Sequence, residues 1–240
     1  MRRLLNGHTI HGASVGILML DTAFERLPGD IGNAGTWDFP VLYKVVKNAT
    51  QDRVFGGDLN GLLAPFVEGC EELSALGADG IVTSCGFLAP LQLRLAEKSP
   101  VPVACSALMQ VPMVQSLIGP AKRVGVITID GASLTEAHFL GAVPMERICI
   151  AGMPSDGVMR RDLRGNARAV NPQAQAQELC EVGRSLVASH PDIGAIVVEC
   201  TNLAPHSKAL QRATGLPVFD MVTLVNWFQQ ALRPRSWAAN

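Results

Sequence analysis

The chain repeats itself, and that repetition restricts its fold more than any other feature. The stretch Ile81-Val82-Thr83-Ser84-Cys85-Gly86-Phe87-Leu88-Ala89-Pro90 returns as Ile196-Val197-Val198-Glu199-Cys200-Thr201-Asn202-Leu203-Ala204-Pro205, so that Cys200 follows Cys85 by 115 residues. Ile, Val, Cys, Leu, Ala and Pro keep their places, and the match runs on without a gap through Leu95/Leu210, Pro102/Pro217 and Val103/Val218. Upstream, Val15-Gly16-Ile17-Leu18-Met19-Leu20-Asp21 is answered 109 residues later by Val124-Gly125-Val126-Ile127-Thr128-Ile129-Asp130. A repeat of about half the chain length means two copies of one unit, and 240 residues suit two domains of roughly 100–150 residues each. The expected division is a first α/β domain over residues 1–118 and a second over 119–220, with the closing segment 221–240 a helix that packs back on the first.

Strands alternating with helices give the fold class. Ala13–Leu20 is a near-continuous apolar run, the mark of a strand covered on both faces of a parallel sheet. Further strands are expected at Val41–Val46, Gly80–Thr83, Val101–Ser106, Arg123–Asp130, Arg147–Ala151, Ala195–Val198 and Val218–Met221. Helical periodicity runs through Leu62, Leu63, Phe66, Cys70, Leu73 and Leu76, with Gly77 as its cap. Other helices are expected from Leu88 with Pro90 in the first turn, up to Ile118, over Ser133–Leu140, over Pro172–Ser189 behind an Asn171 cap, over Leu203–Thr214 and over Thr223–Leu232. The Gly- and Pro-rich segment Asp21–Pro40 and the segment Met153–Asn171, which holds Arg160, Arg161, Arg164 and Arg168, read as loops. The expectation is two pseudo-symmetric, flavodoxin-like parallel sheets with the active site at their interface.

Composition closes off several classes. With 48% hydrophobic and 17% charged residues and a net charge of −1, the chain is neither disordered nor equipped with the basic face that nucleic acid requires. Its apolar runs fall far short of the ~20 residues of a membrane span. Met1-Arg2-Arg3 outlines a leader, but Asn6, His8 and His11 break the apolar stretch that would follow, and the protein is expected in the cytoplasm. The six cysteines are then reduced thiols, either core filler or chemistry. His8, His11, His138 and His190 show no metal-ligand spacing, Cys-x-x-Cys is absent, and neither phosphate-binding glycine motif occurs. No metal and no cofactor are expected. Nothing in the sequence sets the oligomeric state, and a homodimer or higher homo-oligomer is compatible with it.

Cys70, Cys105, Cys149 and Cys180 sit at helix or strand positions where packing explains them. Cys85 and Cys200 differ because both end a parallel strand, where such sheets bind ligands. In duplicated halves facing each other, the two thiols flank one site. The helix start after each cysteine lowers a thiol pKa and attracts carboxylates. A base on one face of a carbon and an acid on the other removes a proton and returns it with inverted configuration, while amides after each cysteine stabilise the enolate-like charge.

The pair, and Glu199-Cys200-Thr201-Asn202-Leu203 in particular, resembles the aspartate/glutamate racemase superfamily over most of the chain. That resemblance implies two pseudo-symmetric α/β domains, one cysteine from each half as acid/base pair, no metal or pyridoxal cofactor, and a small carboxylate substrate bound by Thr201 and Asn202. The first motif departs from the pattern, with Gly86-Phe87 where typical amino-acid racemases have Asn-Thr. The Cys-Thr-Asn-Leu stretch is also similar to maleate cis-trans isomerases. Two cysteines count against the arylmalonate decarboxylase branch. The expectation is a racemase or epimerase of an amino acid or derivative; hydantoin racemase or maleate isomerase chemistry is the alternative, and a binding module without chemistry the rival from another class. Ser84, Gly86 and Phe87 are expected to wall the substrate on the first side. Asp21 ends the first strand, placed to assist a thiol or to cap a turn. Arg26, as a bidentate clamp, and Asn33 are expected to close over the carboxylate from the long loop. The Ser133 and Thr135 hydroxyls face the same cleft or serve as helix caps. His206 is expected at the surface or as a cap.

Overall fold

The computed structural model describes residues 10–236. The lead-in through residue 9, with His8, and residues 237–240 of the expected last helix lie outside them. The first half runs β1 (Val15–Met19), β2 (Val41–Val45), α1 (Gln51–Phe55), α2 (Leu59–Leu76), β3 (Gly80–Thr83), α3 (Gln92–Lys98), β4 (Val103–Ala104) and α4 (Val111–Ile118). The second half runs β5 (Arg123–Thr128), β6 (Ile148–Gly152), α5 (Val158–Arg164), α6 (Pro172–Ser189), β7 (Ile193–Val198), α7 (Ser207–Thr214), β8 (Val218–Phe219) and α8 (Met221–Leu232).

The strands form two four-stranded parallel sheets in the orders β2-β1-β3-β4 and β6-β5-β7-β8, the same winding twice and the flavodoxin-like one. The registers repeat as well. Val15 lies beside Val41 and Gly80 in the first sheet, and Val124 beside Ile148 and Ala195 in the second. β1 is buried along its whole length, as an apolar run between two helical layers must be. On one face α2 presents Leu62, Phe66, Cys70 and Leu73, all buried. α8 closes the first sheet from the other half of the chain: a side chain at Gly80 would meet Phe228 and Leu232. Asp220 caps α8 by accepting from the Thr223 amide and also accepts from Ser207 Oγ, tying α7 to α8.

Three local readings of the sequence need correction. Ser133–Leu140 is not a helix but two 3-10 turns, ended by Leu140 in the left-handed region at φ 56°. The segment 153–171 is not all loop, since α5 lies within it. His206 is buried, with Nε2 3.2 Å from Gln175 Oε1, because the first turn after Pro205 turns inward against α6.

Phe66 is fully buried beneath β1 and β3. Phe66→Ala should cost about 3–5 kcal/mol of unfolding free energy, read as a lower urea midpoint with an unchanged slope.

Candidate active site

The carboxyl ends of β1, β3, β5 and β7 converge where the halves meet. Equivalent backbone bonds fix the two cysteine-bearing ends: Ser84 N donates to Leu18 O at 2.9 Å, and Glu199 N donates to Ile127 O at 2.8 Å. Beyond each strand the chain turns at once into a 3-10 segment, Gly86–Leu91 on one side and Ala204–His206 a few residues later on the other. Between them lies a cavity of about 200 Å³, room for a small molecule. Cys85 and Cys200 both line it, one from each half.

Polar bonds across the seam hold the two ends together. Thr201 Oγ1 donates to Ser84 O at 2.9 Å, and Asn202 Nδ2 donates to Asp30 Oδ2 at 2.6 Å. Asp30 also accepts from Arg26 Nη1 at 2.8 Å, while Arg26 Nη2 reaches Thr22 Oγ1 and the guanidinium lies 4.5 Å from the Phe24 ring centroid. The Cys200 thiol donates to Asn202 Oδ1 at 3.6 Å, which places it at the end of this chain of bonds. The loop after β1 is laced to the second half as well: Glu25 N donates to Ala167 O, and Gly29, at φ +100°, lies so close to Pro205 that a Cβ would stand 2.8 Å from its Cα.

Of the residues expected at the site, Arg26, Ser84, Cys85, Gly86, Phe87, Cys200, Thr201 and Asn202 line the cavity. Asp21, Asn33 and Ser133 do not. Asp21 is exposed and accepts from the Asn48 amide; Asn33 accepts from Gly35 N and donates to Arg26 O, shaping the loop that carries Arg26; Ser133 ends a 3-10 turn after β5. Thr135 bonds His138 Nδ1 instead of facing the cleft. Three groups that the sequence reading passed over do line it: Glu199, Phe55, and the arginines Arg160 and Arg164 of α5. The i,i+4 spacing of the two arginines puts both on one face of a helix, a signal hidden while the segment read as loop. Arg160 is held 3.3 Å from Asp130. Phe87 packs on Phe55 with ring centroids 4.8 Å apart and on the edge of His138 at 5.3 Å.

The electrostatics reverse the expectation of acidic thiols. Burial, and then the Glu199 carboxylate, push Cys85 up to about 12 even though the Phe87 and Leu88 amides and Arg26 pull the other way. Cys200 is raised well above an ordinary thiol by burial and by Glu199, with Cys85 and Asp30 adding to the effect and only the Asn202 amide opposing it. Cys200 therefore senses Cys85, and both share one charged neighbour, Glu199. Glu199 is itself pushed up to about 7 by burial, against the Thr128 hydroxyl that donates to its Oε2 at 2.6 Å. Among the described residues no group of three or more His, Cys, Asp or Glu side chains is arranged to hold a metal, and no helix is long and apolar enough to cross a membrane.

The Asp/Glu/Hydantoin racemase family model matches residues 46–228, which contain both cysteines and every strand except β1 and β2. The chain belongs to that family. Two curated relatives are lyases by name. A dimethylsulfoniopropionate lyase of Durusdinium sp. clade D is 27% identical over 225 residues, spanning 91% of this chain and 75% of the relative. Dimethylsulfoniopropionate lyase 7 of Emiliania huxleyi (strain CCMP1516) is 30% identical over 230 residues, spanning 91% and 67%. In fold the chain is similar to the Gly74Cys mutant of arylmalonate decarboxylase in its sulfate-associated form, with a TM-score of 0.64 and 17% identity over 95% of this chain and 96% of that one.

Glu199 binds its proton more tightly folded than unfolded, its pKa rising from 4.5 to about 7. The stability this proton confers is complete below the unfolded value and lost as pH rises through about 7. Between pH 4.5 and 8 the wild type should lose about 3 kcal/mol more than Glu199→Gln, measured by urea unfolding of both proteins across that range.

Proposed function

We propose that this protein removes and returns the proton α to the carboxylate of a small acid without a cofactor, as a racemase or epimerase, with Cys85 and Cys200 as the acid/base pair. The observation that carries this reading is the presence of both thiols, from equivalent strand ends, in one cavity of about 200 Å³. One sulfur, as thiolate, takes the α-proton and becomes a thiol; the opposite thiol gives its proton to the other face and becomes the thiolate. No net proton is gained, and the configuration inverts. A desolvated thiolate is a stronger base than one in water, which suits a carbon acid. The Asn202 amide on one side and the Phe87 and Leu88 amides on the other face the sulfurs. Arg164, without an ion-pair partner among the described residues, and Arg26 supply positive charge for the carboxylate.

A second reading shares the first step and ends differently. The relatives named as dimethylsulfoniopropionate lyases span 91% of this chain, and Phe24, Phe55 and Phe87 give the cavity aromatic faces that suit a sulfonium cation. On such a substrate the carbanion left by α-proton removal expels the β-sulfonium group: the C–S bond breaks, its electron pair leaves with dimethyl sulfide, and a carbon–carbon double bond forms.

Incubating a panel of chiral carboxylates and dimethylsulfoniopropionate in deuterated water separates the two. Deuterium at the α-carbon with loss of optical rotation supports racemisation, and dimethyl sulfide in the headspace supports elimination. Cys85→Ser and Cys200→Ser should each lower kcat by about 10²-fold or more with melting temperature unchanged. Wild-type turnover in both variants would sink the two-thiol assignment.

A further inference from the structure

Glu199 lines the cavity yet is only 1% exposed, and only half of its carboxylate is accounted for. Its Oε2 accepts from Thr128 Oγ1, while its Oε1 is buried with no hydrogen-bond partner. A buried acid with an orphaned oxygen costs stability, so the chain has had to make room for it, and the room is visible on the facing half. A Cβ on Gly86 would stand 2.1 Å from Glu199 Oε1 and 2.9 Å from Glu199 O. Gly86 is the residue directly after Cys85, at the place that Thr201 holds after Cys200, so the copy facing Glu199 has no side chain where the other has a threonine. Glu199 in turn stands where the first copy has Ser84, whose hydroxyl is occupied by the Leu20 amide. One change admits a charge between the cysteines, and the other vacates the space it needs.

Resting on the reading of Cys85 and Cys200 as the proton-transfer pair, we propose that Glu199 is a third titrating member of that site, a charge-setting residue that keeps both thiols protonated in the empty cavity and lets one ionise when its own charge is neutralised. When the proton that Glu199 takes comes from one of the thiols, the site keeps a single negative charge, which moves from the carboxylate to that sulfur. Its position relative to both sulfurs supports this: it precedes Cys200 in sequence, abuts the residue after Cys85, and is the first charged group acting on each thiol. The other charges nearby are mixed in sign and already paired, Arg26 with Asp30 and Arg160 with Asp130, whereas Asp52 and Arg164 also line the cavity. None of these matches the burial of the Glu199 carboxylate between the two strand ends.

The test reads the thiols directly and needs no substrate. Iodoacetamide is applied to the whole protein from pH 6 to 10, and the modification rate of each cysteine is followed by peptide mass spectrometry in wild type, Glu199→Gln and Glu199→Asp. Removing the charge should speed modification of Cys85 and Cys200 about tenfold at pH 8, with Cys149 and Cys180 unchanged. Glu199→Asp, which keeps the charge one methylene further back, should stay nearer to wild type. An unchanged or slower rate in Glu199→Gln, an acceleration shared by all the cysteines, or an Asp variant as fast as the Gln variant would overturn the proposal. Turnover that survives alkylation of both thiols sinks the two-thiol reading instead and leaves these pH profiles intact.

Discussion

A parallel sheet covered on both faces can offer chemistry only at the ends of its strands, and here two such sheets meet end to end. Each strand end carries backbone groups that the ladder no longer pairs, and leaving them buried without partners is costly. The seam is therefore held by polar bonds, not by apolar packing alone: Thr201 Oγ1 to Ser84 O, and Asn202 Nδ2 to Asp30. These bonds place Cys85 and Cys200 in a shared cavity. The placement is cheap in sequence terms because the same strand and turn, written twice, produce both walls.

The two walls are not alike, and the difference matters more than the symmetry. After Cys200 come Thr201 and Asn202, both engaged across the seam; after Cys85 come Gly86 and Phe87, the second stacked on Phe55 and His138. A bound molecule meets hydrogen-bonding groups on one side and an aromatic surface on the other. Glu199 against Gly86 continues the contrast, with charge concentrated on the second copy and space on the first. On the proposed racemase reading, such a site would distinguish the two ends of a small substrate while presenting a thiol to each face of its reacting carbon.

Much of this architecture is legible in the sequence because its signals are local. The apolar run of β1, the Asn171 cap whose Oδ1 accepts from Ala174 N, and the repeated cysteine frame each carry their own mechanism. What escapes depends on neighbours distant in sequence. α5 begins after Gly157, which offers no cap of its own, has its first amides bound by the distant Glu178 carboxylate, and buries only Met159 and Leu163, too thin an apolar stripe to read as a helix among so many arginines. Ser133–Leu140 has a helical pattern, yet His138 turns back to bond Thr135, and Leu140 enters the left-handed region. Asn33 looks like a ligand for a carboxylate and proves to be a cap that aims Arg26. The error over thiol acidity has the same origin: the helix-start amides are visible in sequence, whereas the burial and the facing carboxylate that outweigh them exist only once the halves close.

That balance defines what a substrate must supply. Burial pushes the Cys85 thiol up to about 12, which disfavours the thiolate that alkylation and oxidation both require. The same desolvation that suppresses the thiolate makes it a stronger base once formed. On the proposed reading, neutralising one buried negative charge, or bringing in with a bound carboxylate the guanidinium of Arg164, which has no ion-pair partner among the described residues, moves the equilibrium in the productive direction. On that same reading, binding and base formation are one event, and reactivity follows when an acid of fitting size fills the cavity.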